Sequence, residues 1–152
     1  MNTLQPGAKA PDFALQNQNG ETVRLSDFAG QRVLVYFYPK AMTPGCTVQA
    51  QNLRDSQEAL KEKGVVVLGI SPDPVKRLAK FAERDALNFD LLSDEDHAVA
   101  DAFGVWGLKK FMGREYDGIH RLSFLIGPDG TVEHFINKFK TKDHHQVVLD
   151  LL

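Results

Sequence analysis

The sequence holds a single cysteine, Cys46, in a setting that could make a thiol do chemistry. The segment Tyr36-Phe37-Tyr38-Pro39-Lys40-Ala41-Met42-Thr43-Pro44-Gly45-Cys46-Thr47 passes from an apolar run through a Pro/Gly-rich loop into a helical pattern. The thiol therefore falls in the first turn of a helix. Cysteine attacks as its thiolate, and the free N–H groups and positive dipole end of a helix N-terminus favour that anion over a thiol of reference pKa about 8.5. A lone cysteine is also commonly a small buried hydrophobe. Position alone leaves both readings open.

The other residues narrow the chemistry. One cysteine allows neither an internal disulfide nor a cysteine-based zinc site, and nothing in the chain is adapted to an oxidising compartment. His144 and His145 are adjacent and point in different directions on a helix, so no metal is expected there. Glu115 and Asp117 sit in a polar stretch and read as hydrated carboxylates. Eighteen basic against 20 acidic residues leave a net charge of -2, without the concentrated positive charge that nucleic acid or a membrane surface attracts. The opening Met1-Asn2-Thr3-Leu4-Gln5-Pro6-Gly7 carries no basic or apolar leader, and no run reaches bilayer length. A cytoplasmic protein is expected.

The elements that must position Cys46 read as follows. At 152 residues, without repeats or linker-like stretches, the chain is expected to be one domain over 1–152. Asp12–Leu15 and Thr22–Leu25 around Asn19-Gly20 suggest an N-terminal hairpin, with Ser26 as the cap of a brief helical turn. Arg32–Tyr38 is a strand buried on both faces and should be central. A helix from about Cys46 to Lys63 ends at Gly64, and Val65–Ile70 is the next buried strand. Val75–Ala86 is an amphipathic helix presenting Val75, Leu78, Ala79 and Ala82. Phe89–Leu92 reads as a short strand, and Ser93–Asp96 opens a helix that ends near Gly104. Leu122–Ile126 and Val132–Ile136 should pair across Gly127-Pro128-Asp129-Gly130, and a last helix covers Asp143–Leu152. Trp106 and Tyr38 read as packing residues. This alternation predicts an α/β fold, a mixed central sheet with helices on both faces.

The pattern Pro39-x-x-x-Thr43-x-x-Cys46 resembles the active-site signature of peroxiredoxins. Tyr38-Pro39-Lys40 with Thr43-Pro44-Gly45-Cys46-Thr47 is similar to the bacterioferritin comigratory protein, or peroxiredoxin Q, branch. Val67–Ser71, Phe89–Asp94, Phe103–Gly107 and Gly118–Ile126 fall collinearly where that branch has similar segments, so the resemblance covers nearly the whole chain. It implies a thioredoxin-like fold, no cofactor, and reduction of hydrogen peroxide and organic hydroperoxides. Carried over, Cys46 is the peroxidatic nucleophile, which becomes a sulfenic acid. Thr43 would hydrogen-bond the thiolate or substrate; shaping the loop by bonding a nearby backbone group is equally open to it, and the two roles are compatible. Arg121, from a distant strand, would set a fixed cation beside the thiol and stabilise charge as the oxygen–oxygen bond breaks. Pro39 would cover the thiolate and limit water.

The chain departs from the branch in one respect. A resolving cysteine often lies five residues after the first, or in the later helix, and here those positions hold Gln51 and Ala82. On an intact helix, positions i and i+5 lie about 7.5 Å apart along the axis, so a disulfide there requires unwinding. The sulfenic acid must instead be reduced by an external thiol: thioredoxin, glutaredoxin or a low-molecular-weight thiol. Helix α-structure after Cys46 need not melt in the cycle, and over-oxidation to sulfinic acid becomes easier. The branch is often monomeric, and a monomer is expected. A rival from another class is a thioredoxin-fold binding or chaperone-like module in which Cys46 is inert.

Overall fold

The computed structural model describes residues 1–152. Its elements are β1 (Ala14–Asn17), β2 (Thr22–Arg24), a 3-10 turn (Leu25–Phe28), β3 (Arg32–Phe37), α1 (Pro44–Asp55), α2 (Gln57–Glu62), β4 (Val65–Ser71), α3 (Val75–Arg84), β5 (Asp90–Ser93), α4 (Ala98–Phe103), β6 (Trp106–Phe111), β7 (Arg114–Ile119), β8 (Ser123–Ile126), β9 (Val132–Ile136) and α5 (His144–Asp150). Seven strands form one mixed sheet in the order β2-β1-β5-β4-β3-β8-β9, while β6 and β7 form a separate ribbon. Strands β3, β4 and β5 run parallel, and the remaining pairings are antiparallel.

The apolar run of β3 is continuous because both faces are covered, and alternate residues enter different cores. Val33, Val35 and Phe37 pack with Phe103 and Ala100 of α4. Leu34, Tyr36 and Tyr38 pack with Leu53 of α1, Leu60 of α2, Leu78 and Phe81 of α3 and Val148 of α5. Helices thus lie on both faces, as expected. Gly69 of β4 is needed where it stands, since a Cβ there would meet Tyr36 Oη at 2.8 Å. Strand β3 is interior, but β4 occupies the centre of the sheet.

Several boundaries differ from the sequence reading. The expected helix over 46–63 begins at Pro44 and is broken at Ser56, whose hydroxyl donates to the Asn52 carbonyl at 2.8 Å. That back-bond competes with the helical ladder and divides α1 from α2. The cap position of the 3-10 turn is Arg24, whose N–H donates to the carboxylate of Asp27 at 2.9 Å, and Ser26 lies inside the turn. The acidic stretch before α4 is not helical; Asp94 accepts the Val99 and Ala100 N–H groups at 3.1 and 2.9 Å and so caps the helix from outside. On α3 the buried face is carried by Leu78 and Phe81, with Val75, Ala79 and Ala82 half-buried. The β6–β7 ribbon was not expected. Trp106, at its base, stacks on His97 with ring centroids 3.8 Å apart.

Candidate active site

The parallel strands β3 and β4 end side by side, with Phe37 opposite Ile70 and the Tyr38 N–H donating to Ile70 O at 3.1 Å. Strand β8 runs antiparallel to β3 and therefore begins where β3 ends, with Ser123 opposite Tyr36. The Phe37 N–H donates to Leu122 O at 2.9 Å. Three chain segments, 38–46, 71–77 and 120–123, consequently meet beyond the carboxyl edge of the sheet, the crevice where ligands bind in open α/β sheets.

Cys46 sits at the third position of α1, after Thr43 at the N-cap and Pro44 as first helical residue. Proline suits that position because its φ is set for a helix and no N–H is wasted. The first backbone bond of the helix runs from Thr47 N–H to Thr43 O at 2.9 Å. The N–H groups of Gly45 and Cys46 precede the ladder and remain free for an oxygen at the thiol. Cys46, Gln49, Ala50 and Leu53 form the buried face of α1, spaced i, i+3, i+4 and i+7. The Cys46 side chain is 2% exposed.

Arg121 reaches this thiol from 75 residues away: its Nη1 donates to Cys46 Sγ at 3.3 Å and to Gln49 Oε1 at 2.9 Å. The guanidinium is thus fixed by an acceptor one turn along the same helix. Gln49 was missed in the sequence, although a polar residue on the apolar face of a helix is a signal that could have found it. The second terminal nitrogen of Arg121 and Thr141 flank Gly45, each 3.6 Å from where a Cβ would stand.

Thr43 donates its hydroxyl to Lys40 O at 2.7 Å, the loop-shaping alternative, and makes no hydrogen bond to Cys46. Pro39 is half-buried between fully buried Tyr38 and exposed Lys40. The loop that follows is gripped from α3. Asp73 Oδ2 accepts the Ala41 N–H at 2.7 Å and the Ser71 hydroxyl at 2.8 Å, and its Oδ1 lies 3.2 Å from Arg77 Nε. Arg77 Nη2 donates to Ala41 O at 2.7 Å. Both backbone groups of Ala41 are held, and the next residue, Met42, is kept at φ 65°, a left-handed conformation that surrounding structure must enforce.

Behind the thiol the wall is neutral. Tyr36 and Tyr38 stack with centroids 5.5 Å apart, and burial pushes both phenols well above their ordinary range. His144 lies 2.7 Å from Ser123 Oγ through Nε2. Burial first, then the positive fields of His145 and Arg121, push it down to about 3. Lys109 of β6 donates to Ile119 O at 2.8 Å; burial and then Arg121 lower it, against an opposite pull from Cys46. No group of three or more His, Cys, Asp or Glu side chains is placed to hold a metal ion, and no helix is long and apolar enough to cross a membrane.

Of the expected site residues, Cys46 and Arg121 are in direct contact, while Thr43 and Pro39 belong to the loop beside them. Gln51 and Ala82 hold the two positions at which a resolving cysteine would lie. Gln51 donates Nε2 to Asp85 Oδ1 at 3.0 Å.

Comparison with known proteins identifies the family. The family model described as the AhpC/TSA family matches residues 6–135. The chain is 63% identical over 152 residues to peroxiredoxin Bcp of Escherichia coli, covering 100% of this chain and 97% of that protein. It is 47% identical over 150 residues to peroxiredoxin Bcp of Bacillus subtilis, covering 99% and 96%. Among solved structures, the bacterioferritin comigratory protein of Xanthomonas campestris, described for its alkyl peroxide reduction activity, superimposes with a TM-score of 0.88 at 32% identity, covering 99% of this chain and 95% of that one.

Proposed function

The chain belongs to the AhpC/TSA family, as a peroxiredoxin of the Bcp kind and hence a thiol-dependent peroxidase, and from that membership we propose that Cys46 is its peroxidatic nucleophile and Arg121 its electrostatic partner. The observation that carries the assignment is the 3.3 Å contact from Arg121 Nη1 to a thiol buried at the start of a helix.

The Cys46 thiolate attacks one oxygen of ROOH, forming an S–O bond as the O–O bond breaks. The leaving oxygen departs as ROH after taking a proton, and Cys46 becomes a sulfenic acid. Negative charge moves from sulfur to that oxygen, so a cation held rigid by Gln49 stabilises the transition state without reorganising. The N–H groups of Gly45 and Cys46 add donors on the same side. Thr43, whose proton is committed to Lys40 O, presents an oxygen that can only accept, which suits the O–H of a hydroperoxide. Pro39 screens the thiol from water.

Since Cys46 is the only cysteine, the cycle is completed by external thiols. One thiol displaces water from the sulfenic acid to give a mixed disulfide, and a second releases Cys46 and a disulfide product. Thioredoxin, glutaredoxin or a low-molecular-weight thiol can serve. We place the enzyme in the cytoplasm, where thiols are kept reduced, as a monomeric single domain. Hydrogen peroxide and alkyl hydroperoxides are both substrates; the alkyl peroxide activity of the Xanthomonas relative supports the second.

Turnover with dithiothreitol as reductant tests the assignment. Cys46→Ser is expected to consume no peroxide, and full activity in that variant would end it. Arg121→Ala is expected to lose about 10²–10³-fold in the peroxide step, the usual cost of removing one fixed donor at a developing anion. An unchanged rate would strip Arg121 of its role.

A further inference from the structure

Thr47, Gln51 and Arg54 lie at i, i+4 and i+7 on α1, a second stripe beside the buried one. They face the end of α3. There Asp85 closes the helix and is only 8% exposed although it carries a carboxylate. Its Oδ1 accepts Gln51 Nε2 at 3.0 Å and its Oδ2 accepts Arg84 Nε at 2.9 Å. Arg84 carries the connection onward by donating Nη2 to Thr47 Oγ1 at 2.9 Å. Arg54 completes the stripe, donating Nη1 to Asp85 O at 2.6 Å. Each member of the stripe, starting at the neighbour of Cys46, ends on Arg84 or Asp85.

The first turn of α1 needs such help. Thr43, turned to donate to Lys40 O, makes no side-chain cap bond, and the turn contains Gly45, a poor helix former. Helix ends in this condition fray before the rest of the fold opens. The position that in related proteins holds a second cysteine is here occupied by Gln51, which reaches the buried carboxylate.

We propose that Asp85 is a positioning residue for the peroxidatic helix: through Gln51, and through Arg84 to Thr47, it clamps the first turns of α1 and holds the Cys46 sulfur in front of Arg121 both before and after oxidation. This rests on the peroxidase reading of Cys46. The clamp has a chemical consequence. The sulfenate can attack a second hydroperoxide, Cys46–SO⁻ + ROOH giving Cys46–SO₂⁻ + ROH, only while its sulfur stays at the peroxide site. Attack by an external thiol, which expels water and forms a mixed disulfide, requires the sulfur to be reached from outside. A helix held shut favours the first fate over the second.

The test uses the full chain with Asp85→Ala, Asp85→Asn and a Thr47→Ala/Gln51→Ala double substitution. In the reduced protein, amide exchange over residues 47–51 is expected to quicken by at least about tenfold in Asp85→Ala and in the double variant, with β3 and β4 unchanged. Asp85→Asn keeps an acceptor for Gln51 and should fall between. Under fixed hydroperoxide and dithiothreitol, intact mass is expected to show at least about threefold less sulfinic acid per turnover in Asp85→Ala and in the double variant than in wild type. Wild-type exchange over 47–51, or faster exchange with an unchanged sulfinic fraction, overturns the proposal. Should Asp85→Ala not fold, the double variant, which leaves the carboxylate paired with Arg84, decides alone. Failure of wild type to consume peroxide would remove the peroxidase reading, while the exchange comparison would still judge the clamp.

Discussion

Two buried carboxylates bracket α3, and each borrows an arginine from that helix to hold one flank of Cys46. Asp73 precedes α3, pairs with Arg77 and grips the loop before the cysteine; Asp85 follows it, pairs with Arg84 and grips the helix after it. They differ in what they hold. Asp73 and Arg77 take the N–H and C=O of Ala41, groups that any residue but proline would supply. Asp85 and Arg84 take the side chains of Gln51 and Thr47. The first support survives sequence change in the loop, whereas the second exists only while those two residues keep their identities. The loop is therefore fixed scaffold, and the helix is the adjustable part of the site.

The largest effect in this comparison is expected from Asp73→Ala. It leaves the buried Ala41 N–H and Ser71 hydroxyl without their acceptor and takes the ion partner from Arg77, which is partly solvated and keeps its bond to Ala41 O. A lost buried acceptor of this kind costs about 2–3 kcal/mol, with little added for the partly exposed arginine. With Met42 no longer held at φ 65°, the loop should relax and the peroxide rate fall by at least about tenfold. Urea unfolding and the rate of Cys46 oxidation measure the two parts. A stable variant of normal rate would mean that the loop holds its shape unaided.

His144 provides an intermediate test, on the neutral wall behind both supports. Its native value of about 3 lies below the ordinary 6.5, so between those limits the unfolded chain takes up a proton that the folded one refuses. The contribution is complete above about pH 6.5 and is lost as pH falls toward 3. Across that window it should amount to a few kcal/mol. His144→Gln, able to keep a bond to Ser123, should flatten this part of the stability–pH curve while leaving the curve above pH 7 parallel to wild type. Identical acid slopes in both proteins would exclude a neutral buried His144.

How much of this was legible in the sequence depends on what each residue does. The strands β3, β4 and β8 announce themselves because burial on both faces demands unbroken apolar runs, and β9 is marked by the Gly127-Pro128-Asp129-Gly130 turn that joins it to β8. Ribbon β6–β7 does not: lysines interrupt it, and its turn is Met112-Gly113, with φ of 51° and 78°, instead of the Asn-Gly that signals such a hairpin. Cys46 stood out as a lone thiol beside a loop, but Arg121 came only with the family resemblance, since an arginine next to a strand normally faces water. Arg77, Arg84, Asp73 and Asp85 were invisible for the same reason. On and beside an amphipathic helix charged residues are what the exposed face requires, and only the folded chain reveals that these bond the loop before the cysteine and the helix after it.

The smallest effect separates the two supports most sharply. Gln51→Ala removes one neutral donor from Asp85, whose oxygens keep Arg84, and Arg54 retains its bond to the backbone carbonyl. The expected loss of stability is about 0.5–1 kcal/mol, within the range for a single partly exposed hydrogen bond. The rate of Cys46 oxidation should stay within about twofold of wild type, because Arg84 still holds Thr47 in the first turn and Gln49 still holds Arg121 against the thiol. Combined with Asp85→Ala the two stability losses should fall well short of additive, since both act on the same bond. Combined with Asp73→Ala they should add, as the two supports share no bonded partner. Strong coupling between Gln51 and Asp73 in that double-mutant cycle would show that the loop and the helix are held as one unit rather than two.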